Sequence, residues 1–347
     1  MRAMAAILVA QNEPLVVDEV ELPTELAAGQ VRVRVRHSGV CGSQLGEIAG
    51  VKGQDRWLPH LLGHEGGAEV LEVGPGVRHV AVGGAVVMHW RPGRGIDAVP
   101  ASYRWRGRVL NSGCVTTFNT HAVVSENRLT PVPDGLPLDL AALFGCPVPT
   151  GMGVVENDAA VKPGEAVVVW GAGGVGLSVV QAAALCGAWP IVAVDLHANR
   201  LTLAERLGAT HAIDANGLGA AEVASRVTAL LGGPAEVVVD NTGRPDIIAA
   251  AYELCGSEGR CVLVGVPRHD ADTTLHTLPL HFGRVLTGSH GGDADPPVDL
   301  PRYGKLYAAG KLDLASLVTH RYPLERINDA LDDLRSGAMA GRCLIDL

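Results

Sequence analysis

The sequence predicts a two-domain α/β protein in which a β-rich domain is interrupted by a doubly wound parallel sheet. Three observations carry this expectation. The chain has 347 residues, more than one hydrophobic core usually organises. Its first part shows the period-two alternation of half-buried strands, cleanest in Val31-Arg32-Val33-Arg34-Val35-Arg36. From about residue 148 the pattern turns to apolar strand-like runs alternating with helix-like stretches.

In chain order, Met1–Pro14 begins with a short apolar run that reads as a first strand, too short for a signal peptide. Gly74-Pro75-Gly76 and Gly83-Gly84 punctuate further strands at Gly67–Val73 and Ala85–His89. The central part offers strands at Ala166–Trp170, Ile191–Asp195, Val237–Asp240 and Cys261–Val266. After Gly291-Gly292 come a helical stretch Tyr303–Ala309, a strand Val318–Tyr322, a helix around Leu324–Leu334 and a returning strand Cys343–Leu347. The expected domains are therefore 1–147 with 292–347, and 148–291.

Composition narrows the function classes. Hydrophobic residues at 47% and charged residues at 19% exclude a disordered chain. A net charge of −9 argues against a nucleic-acid partner, which needs a basic footprint. Seven cysteines, an odd number in a long chain without secretory features, favour metal binding or burial over a disulfide framework. Ala166–Val194 carries no charge over 29 residues, but its glycines and Pro190 fit strand, turn, helix and strand better than a membrane span. The expectation is a cytoplasmic protein acting on a small molecule.

Ala166–Trp170 runs directly into Gly171-Ala172-Gly173-Gly174-Val175-Gly176 and then an apolar helix. Gly171 allows the tight turn, Gly173 lets backbone approach a pyrophosphate, and Gly176 lets helix pack on strand. Asp195 follows Gly176 by 19 residues, at the end of the next strand. An acid there accepts hydrogen bonds from ribose hydroxyls and repels a 2′-phosphate, so NAD is favoured over NADP, although Arg200 can serve either cofactor. In the first domain, Cys41, His64 and Cys146 stand in Gly-rich surroundings. Two thiolates and an imidazole would leave one open position on a tetrahedral zinc, as a catalytic site needs. Spacing alone does not bring the three together.

These segments resemble the zinc-dependent alcohol dehydrogenases of the medium-chain dehydrogenase/reductase superfamily. The carrying motifs are GVCGS (39–43), GHEG (63–66), GCPVPTG (145–151), the GAGGVG turn with Asp195, DNTGR (240–244), VGVP (264–267) and the closing GRCLIDL. The resemblance implies a GroES-like catalytic domain split around a Rossmann domain, with zinc meeting the nicotinamide in a cleft between them. It implies Cys41, His64 and Cys146 as zinc ligands, Glu65 as a neighbouring acid that ligates in some members, and Ser43 as the hydroxyl that bonds the substrate oxygen. Thr150, Val264 and Val266 would lie near the nicotinamide, and Arg342 on the pyrophosphate. A homodimer or homotetramer is implied, with the edge near Arg284–Ser289 as the dimer contact. The chemistry expected is hydride transfer between an alcohol and NAD.

The departures are informative. Many members carry four cysteines for a second, structural zinc, whereas Met88–Leu110 has none, so one zinc per chain is expected. Gln44 stands where an Asp often orients the histidine ligand, and Gly46 where some members place a relay histidine. Met88–Leu110 instead holds Arg91, Arg94, Arg104, Arg106 and Arg108 with Trp90, Tyr103 and Trp105 against the single acid Asp97. That is either an anion or sugar clamp or a surface arm whose arginines pair with nearby acids. The polar stretch 111–121 that follows suggests a sugar, polyol or cyclitol, with Cys114 either lining the site or simply buried. Alternatives are a zinc-free reductase, a redox-neutral enzyme that retains NAD, and a non-catalytic nucleotide-binding protein.

Overall fold

A computed structural model describes residues 1–347. The chain forms two compact units, Met1–Cys146 with Asp295–Leu347, and Pro147–Ala294.

The first unit contains two sheets. In the larger, Gln30–Val40 is the organising strand. It pairs antiparallel with Gly66–Val73 and His121–Ser125, and its far end pairs with the last strand of the chain, Arg342–Asp346. The alternation at 31–36 has the expected cause: Val31, Val33 and Val35 are fully buried, while the intervening arginines reach outward to Glu69 and Glu72. In the smaller sheet the order is His60–Leu61, Arg2–Leu8, Val16–Glu21, Tyr103–Trp105, Arg108–Leu110. One apolar core joins both ends of the chain, with Leu8, Val40 and Phe118 packed among Ile327, Leu331 and Ile345. The helix Ile327–Ser336 buries Ile327, Ala330 and Leu331 at i, i+3, i+4 spacing and stops at Gly337 in the left-handed region.

The second unit is a six-stranded parallel sheet. From edge to edge it reads His211–Asp214, Ile191–Asp195, Val167–Trp170, Ala235–Asp240, Cys255–Leu263, Val285–Gly288. In order of appearance that is 3-2-1-4-5-6, the dinucleotide-binding arrangement in which the topological switch falls beside the first strand. The charge-free run resolves into the buried strand Val167–Trp170, the helix Gly174–Leu185 and the strand Ile191–Asp195. No single helix is long and apolar enough to cross a membrane.

Some boundaries differ from the sequence reading. The strand read as Cys261–Val266 is Cys255–Leu263, its polar start paired through a register shift against Ala235–Val237. The helix read from Tyr303 begins at Pro296, because proline at a helix start loses only a hydrogen bond that is unmade there anyway.

Candidate metal centre and dinucleotide site

Cys41, His64, Glu65 and Cys146 converge in the first unit, their ligand atoms all within 4.8 Å of one another. Each is fixed by local structure. Cys41 ends the organising strand and caps the helix Gly42–Ile48: its sulfur accepts the Gln44 backbone N–H, and Gln44 Oε1 accepts from the Cys41 N–H at 2.8 Å. His64 and Glu65 precede the strand Gly66–Val73. The Glu65 carbonyl accepts from Gly39 N–H and from the Ser38 hydroxyl, which locks this corner onto the organising strand. Glycines of two of the motifs make room for the acid: a Cβ on Gly39 would lie 2.6 Å from Glu65 Cδ, and one on Gly145 2.6 Å from Glu65 Cα. Ser43 is exposed in the first turn of the Cys41 helix.

Electrostatics favour a cation here. The Cys41 thiol is held well below its usual range, chiefly by a hydrogen bond from Cys146, with His64 and Arg342 adding to the effect. Cys146 is correspondingly pushed up by sharing its proton with Cys41 and by burial. Burial disfavours a charged His64, but the Cys41 sulfur and the nearby acids outweigh it and raise its pKa. Glu65 is fully buried and raised by desolvation. One of its oxygens meets Arg342 in a short ion pair, while Oε2 has no hydrogen-bond partner. A buried carboxylate oxygen without a donor, beside two thiols and an imidazole, fits a divalent zinc-like ion. Arg342 lies against Glu65 at this cluster, only 4% exposed, and not on an open surface. The sequence offered no signal for that ion pair, whose partners lie 277 residues apart.

In the second unit, Gly171 turns the chain with φ +91° between strand and helix. A Cβ on Gly176 would lie 1.9 Å from the Gly171 carbonyl oxygen, whereas one on Gly173 would meet nothing within 4 Å. The space over Gly173 is the opening a pyrophosphate needs, at the start of the helix Gly174–Leu185. Asp195 ends the adjacent strand and is buried; Oδ2 accepts from Ala172 N–H at 2.7 Å and Oδ1 from His197 N–H at 3.0 Å, with Arg200 at 3.7 Å. Asp240 binds Thr242 and Gly243 N–H, and its carbonyl accepts from Val264 and Gly265 N–H, tying two loops together. Val266 is exposed beside them. Thr150 is buried on the helix Pro147–Gly153, which continues as a π-helical turn Val154–Asp158. Gly176→Val is expected to abolish NAD binding and to lower the melting temperature, since backbone stands where the side chain must go. Calorimetric titration with NADH checks this; retained affinity would mean that helix and turn can separate without loss.

Part of the arginine-rich segment is tied into the first unit's own structure. Tyr103 is fully buried and its hydroxyl accepts from Val123 N–H. The Trp105 indole donates to Asp18, and Arg106 pairs with the same carboxylate while lying 4.8 Å over the Trp105 ring. The 111–121 stretch is likewise engaged internally: Ser112 bonds Ala101 O, Thr116 bonds Leu62 O, Thr117 meets Ser38, and Asn119 bonds His121 O. Cys114 is half-buried.

A residue the sequence reading missed organises the arm. Glu126 is buried, and its carboxylate accepts from Arg78 N–H (2.6 Å), His79 N–H (2.9 Å) and Ile96 N–H (2.8 Å). Burial raises its pKa, but these bonds outweigh it and keep the carboxyl low. Ser125 and Asn127 bond Ala98 N–H and Asp97 in the same segment. His89 is buried between Arg91 O and the Thr130 hydroxyl and pushed by burial down to about 4.

Comparison with known proteins agrees with this geometry. Residues 27–134 match the family model described as alcohol dehydrogenase GroES-like domain, and residues 174–307 that described as zinc-binding dehydrogenase. An NDMA-dependent alcohol dehydrogenase from Amycolatopsis methanolica is 32% identical, covering 97% of both chains. An S-(hydroxymethyl)glutathione dehydrogenase from Aspergillus oryzae is 31% identical, over 100% of this chain and 96% of the relative. Among solved structures, benzyl alcohol dehydrogenase from Acinetobacter calcoaceticus superposes with a TM-score of 0.89 at 27% identity, covering 100% of this chain and 99% of the other. The chain belongs to the zinc-dependent alcohol dehydrogenases of the medium-chain dehydrogenase/reductase superfamily.

Proposed function

We propose that this NAD-dependent zinc alcohol dehydrogenase works with one zinc per chain, held by Cys41, His64 and Cys146, with Glu65 as an exchangeable fourth ligand. The observation that carries the proposal is the convergence of these four side chains with Glu65 Oε2 left without a donor. Zinc there supplies Lewis-acid polarisation of an alcohol or carbonyl oxygen, and NAD accepts or returns the hydride. The chain's own residues do the rest. Two thiolates balance the ion's charge, so neutral His64 leaves the site neutral, and Arg342 balances Glu65. The Ser43 hydroxyl would relay the substrate proton, accepting it along a hydrogen bond while passing its own on to solvent water. Gly171, Gly173, Gly174, Val175 and Gly176 seat the pyrophosphate, with Asp195 and Arg200 at the adenosine ribose. Thr150, Val264 and Val266 flank the nicotinamide.

In the 111–121 stretch that suggested a sugar, polyol or cyclitol, Ser112, Thr116, Thr117 and Asn119 are engaged internally, which favours an alcohol recognised mainly by its single reacting hydroxyl. Steady-state NAD⁺ reduction over benzyl alcohol, short aliphatic alcohols, 2,3-butanediol and sugar polyols tests this. Higher kcat/KM for the monohydric alcohols is expected, and a preference for polyols would overturn that part. No turnover of any alcohol, with NAD still bound, would favour the redox-neutral alternative.

For assembly, Val285–Gly288 is an edge strand with an open hydrogen-bonding side, next to exposed Leu278, Leu280 and Phe282. Edge and apolar patch together support a homodimer through this strand. Phe282→Asp is expected to give monomers by light scattering; an unchanged mass would place the contact elsewhere.

A further inference from the structure

The chain has a single Asn-Gly pair, Asn216-Gly217, at the corner that follows the strand His211–Asp214. Leu218 N–H donates to Ala215 O at 3.0 Å and closes a turn around the pair. Both residues are exposed. Gly217 stands there with φ +76°, and a Cβ on it would meet nothing within 4 Å. The Asn216 backbone N–H donates to Asp214 Oδ1 at 2.8 Å, but its carboxamide and the Gly217 N–H bond to no other group of the chain. Every other asparagine is followed by a residue with a side chain. Asn111, followed by the small Ser112, has its carboxamide on Trp57 O at 2.6 Å and its backbone N–H on Pro59 O at 3.3 Å.

The backbone nitrogen after an asparagine lies within reach of the side-chain carbonyl carbon, and glycine puts no Cβ in the way of the approach. At this corner neither reacting group has a bond to give up first. We propose that Asn216-Gly217 is a site at which the chain modifies itself without an enzyme. The Gly217 nitrogen, on losing its proton to water, forms a C–N bond to Asn216 Cγ, and the carboxamide nitrogen takes up a proton and leaves as ammonia. Water then opens the five-membered imide at either carbonyl. Asparagine and water become aspartate or isoaspartate and ammonia, with no electron transfer.

The turn is joined to the dinucleotide site. Ala215 N–H donates to Asp195 O at 2.9 Å, and Asp214 is in register with Asp195 on the adjacent strand. Either product adds a carboxylate beside Asp214, and isoaspartate also lengthens the main chain by a methylene in the residue after Ala215. Conversion therefore loosens the strand end that backs Asp195 and weakens NAD binding. This consequence rests on the ribose reading above; the modification itself does not.

The folded full chain is aged at mildly alkaline pH and followed by peptide mass spectrometry for a gain of one mass unit. Asn216 is expected to convert at least about tenfold faster than Asn111, which must first release Trp57 O. It is also expected to convert within about tenfold of its rate in the urea-unfolded chain, since nothing has to open. Conversion no faster than at Asn111, or seen only after unfolding, overturns the proposal. Asn216→Gln, whose longer side chain would have to close a six-membered ring, is expected to stay unconverted over the same period, and a mass gain there that persists in this variant overturns the assignment to Asn216. The converted protein, separated by its extra negative charge, is expected to bind NADH about tenfold more weakly, as for the loss of one hydrogen bond to a charged group, with zinc content unchanged. Unchanged NADH affinity overturns the coupling to Asp195. Full NADH affinity in Asp195→Ala would instead overturn the ribose reading and leave the modification standing.

Discussion

Cys146→Ser is expected to reduce bound zinc from about one per chain to near zero and alcohol-dependent NAD⁺ reduction by about a thousand-fold or more. The magnitude follows from losing a polarising ion, which contributes several kcal/mol at the transition state, and about 4 kcal/mol corresponds to a thousand-fold. The serine hydroxyl is a poor zinc ligand at neutral pH, so the variant loses one of two thiolates without a gross change in volume. Elemental analysis and steady-state kinetics on the same preparation check both parts. NADH binding is expected to persist, because the Gly171–Gly176 turn and Asp195 lie in the other unit. Loss of zinc with activity retained would move the chain to the zinc-free reductases. About two zinc ions in the wild type would mean that residues outside the Cys41 cluster also bind metal.

The second large effect concerns stability. The variant Glu126→Ala is expected to destabilise the first unit by roughly 3–9 kcal/mol, because three backbone N–H groups lose their acceptor at about 1–3 kcal/mol each. The arm 89–99 should then detach while the zinc stoichiometry stays at one, since none of the four clustered residues lies in it. Urea unfolding followed by tryptophan fluorescence reads this, because Trp90 sits in the affected segment. A loss below about 1 kcal/mol would show that water or the neighbouring Ser125 and Asn127 bonds suffice to hold the arm.

These two predictions mark the limits of what was legible in the sequence. The dinucleotide turn could be read because its parts are contiguous: a buried strand, glycines at required positions, and an acid ending the next strand. The sheet order could not, since it depends on pairings such as Val167 with Val237 that no local pattern encodes. Cys41, His64 and Cys146 announce themselves by residue type, but their convergence depends on the whole first unit. The arginine-rich segment left a clamp and a paired surface arm both open, because composition counts charges without their partners. Asp18, which holds Trp105 and Arg106, is 87 and 88 residues away in the chain. Glu126 carried no signal at all, as an acid in a polar stretch reads as a solvated surface residue unless its backbone donors are known.

The Glu65–Arg342 ion pair has a consequence for biosynthesis. The acid is made early, in the segment that opens the strand Gly66–Val73, and its counter-charge comes with the last strand, Arg342–Asp346, after all of Pro147–Ala294 has been translated. A nascent chain that has folded its leading residues therefore carries a desolvated carboxylate with no cation opposite, a costly arrangement that favours a proton or delays closure of this corner. The leading strands stay unsealed until Arg342–Asp346 pairs with His37–Val40. Metal acquisition then waits on the pairing of that strand. A variant lacking Arg342–Leu347 would keep Cys41, His64, Glu65 and Cys146 but lose both the strand and the cation that close the corner around them.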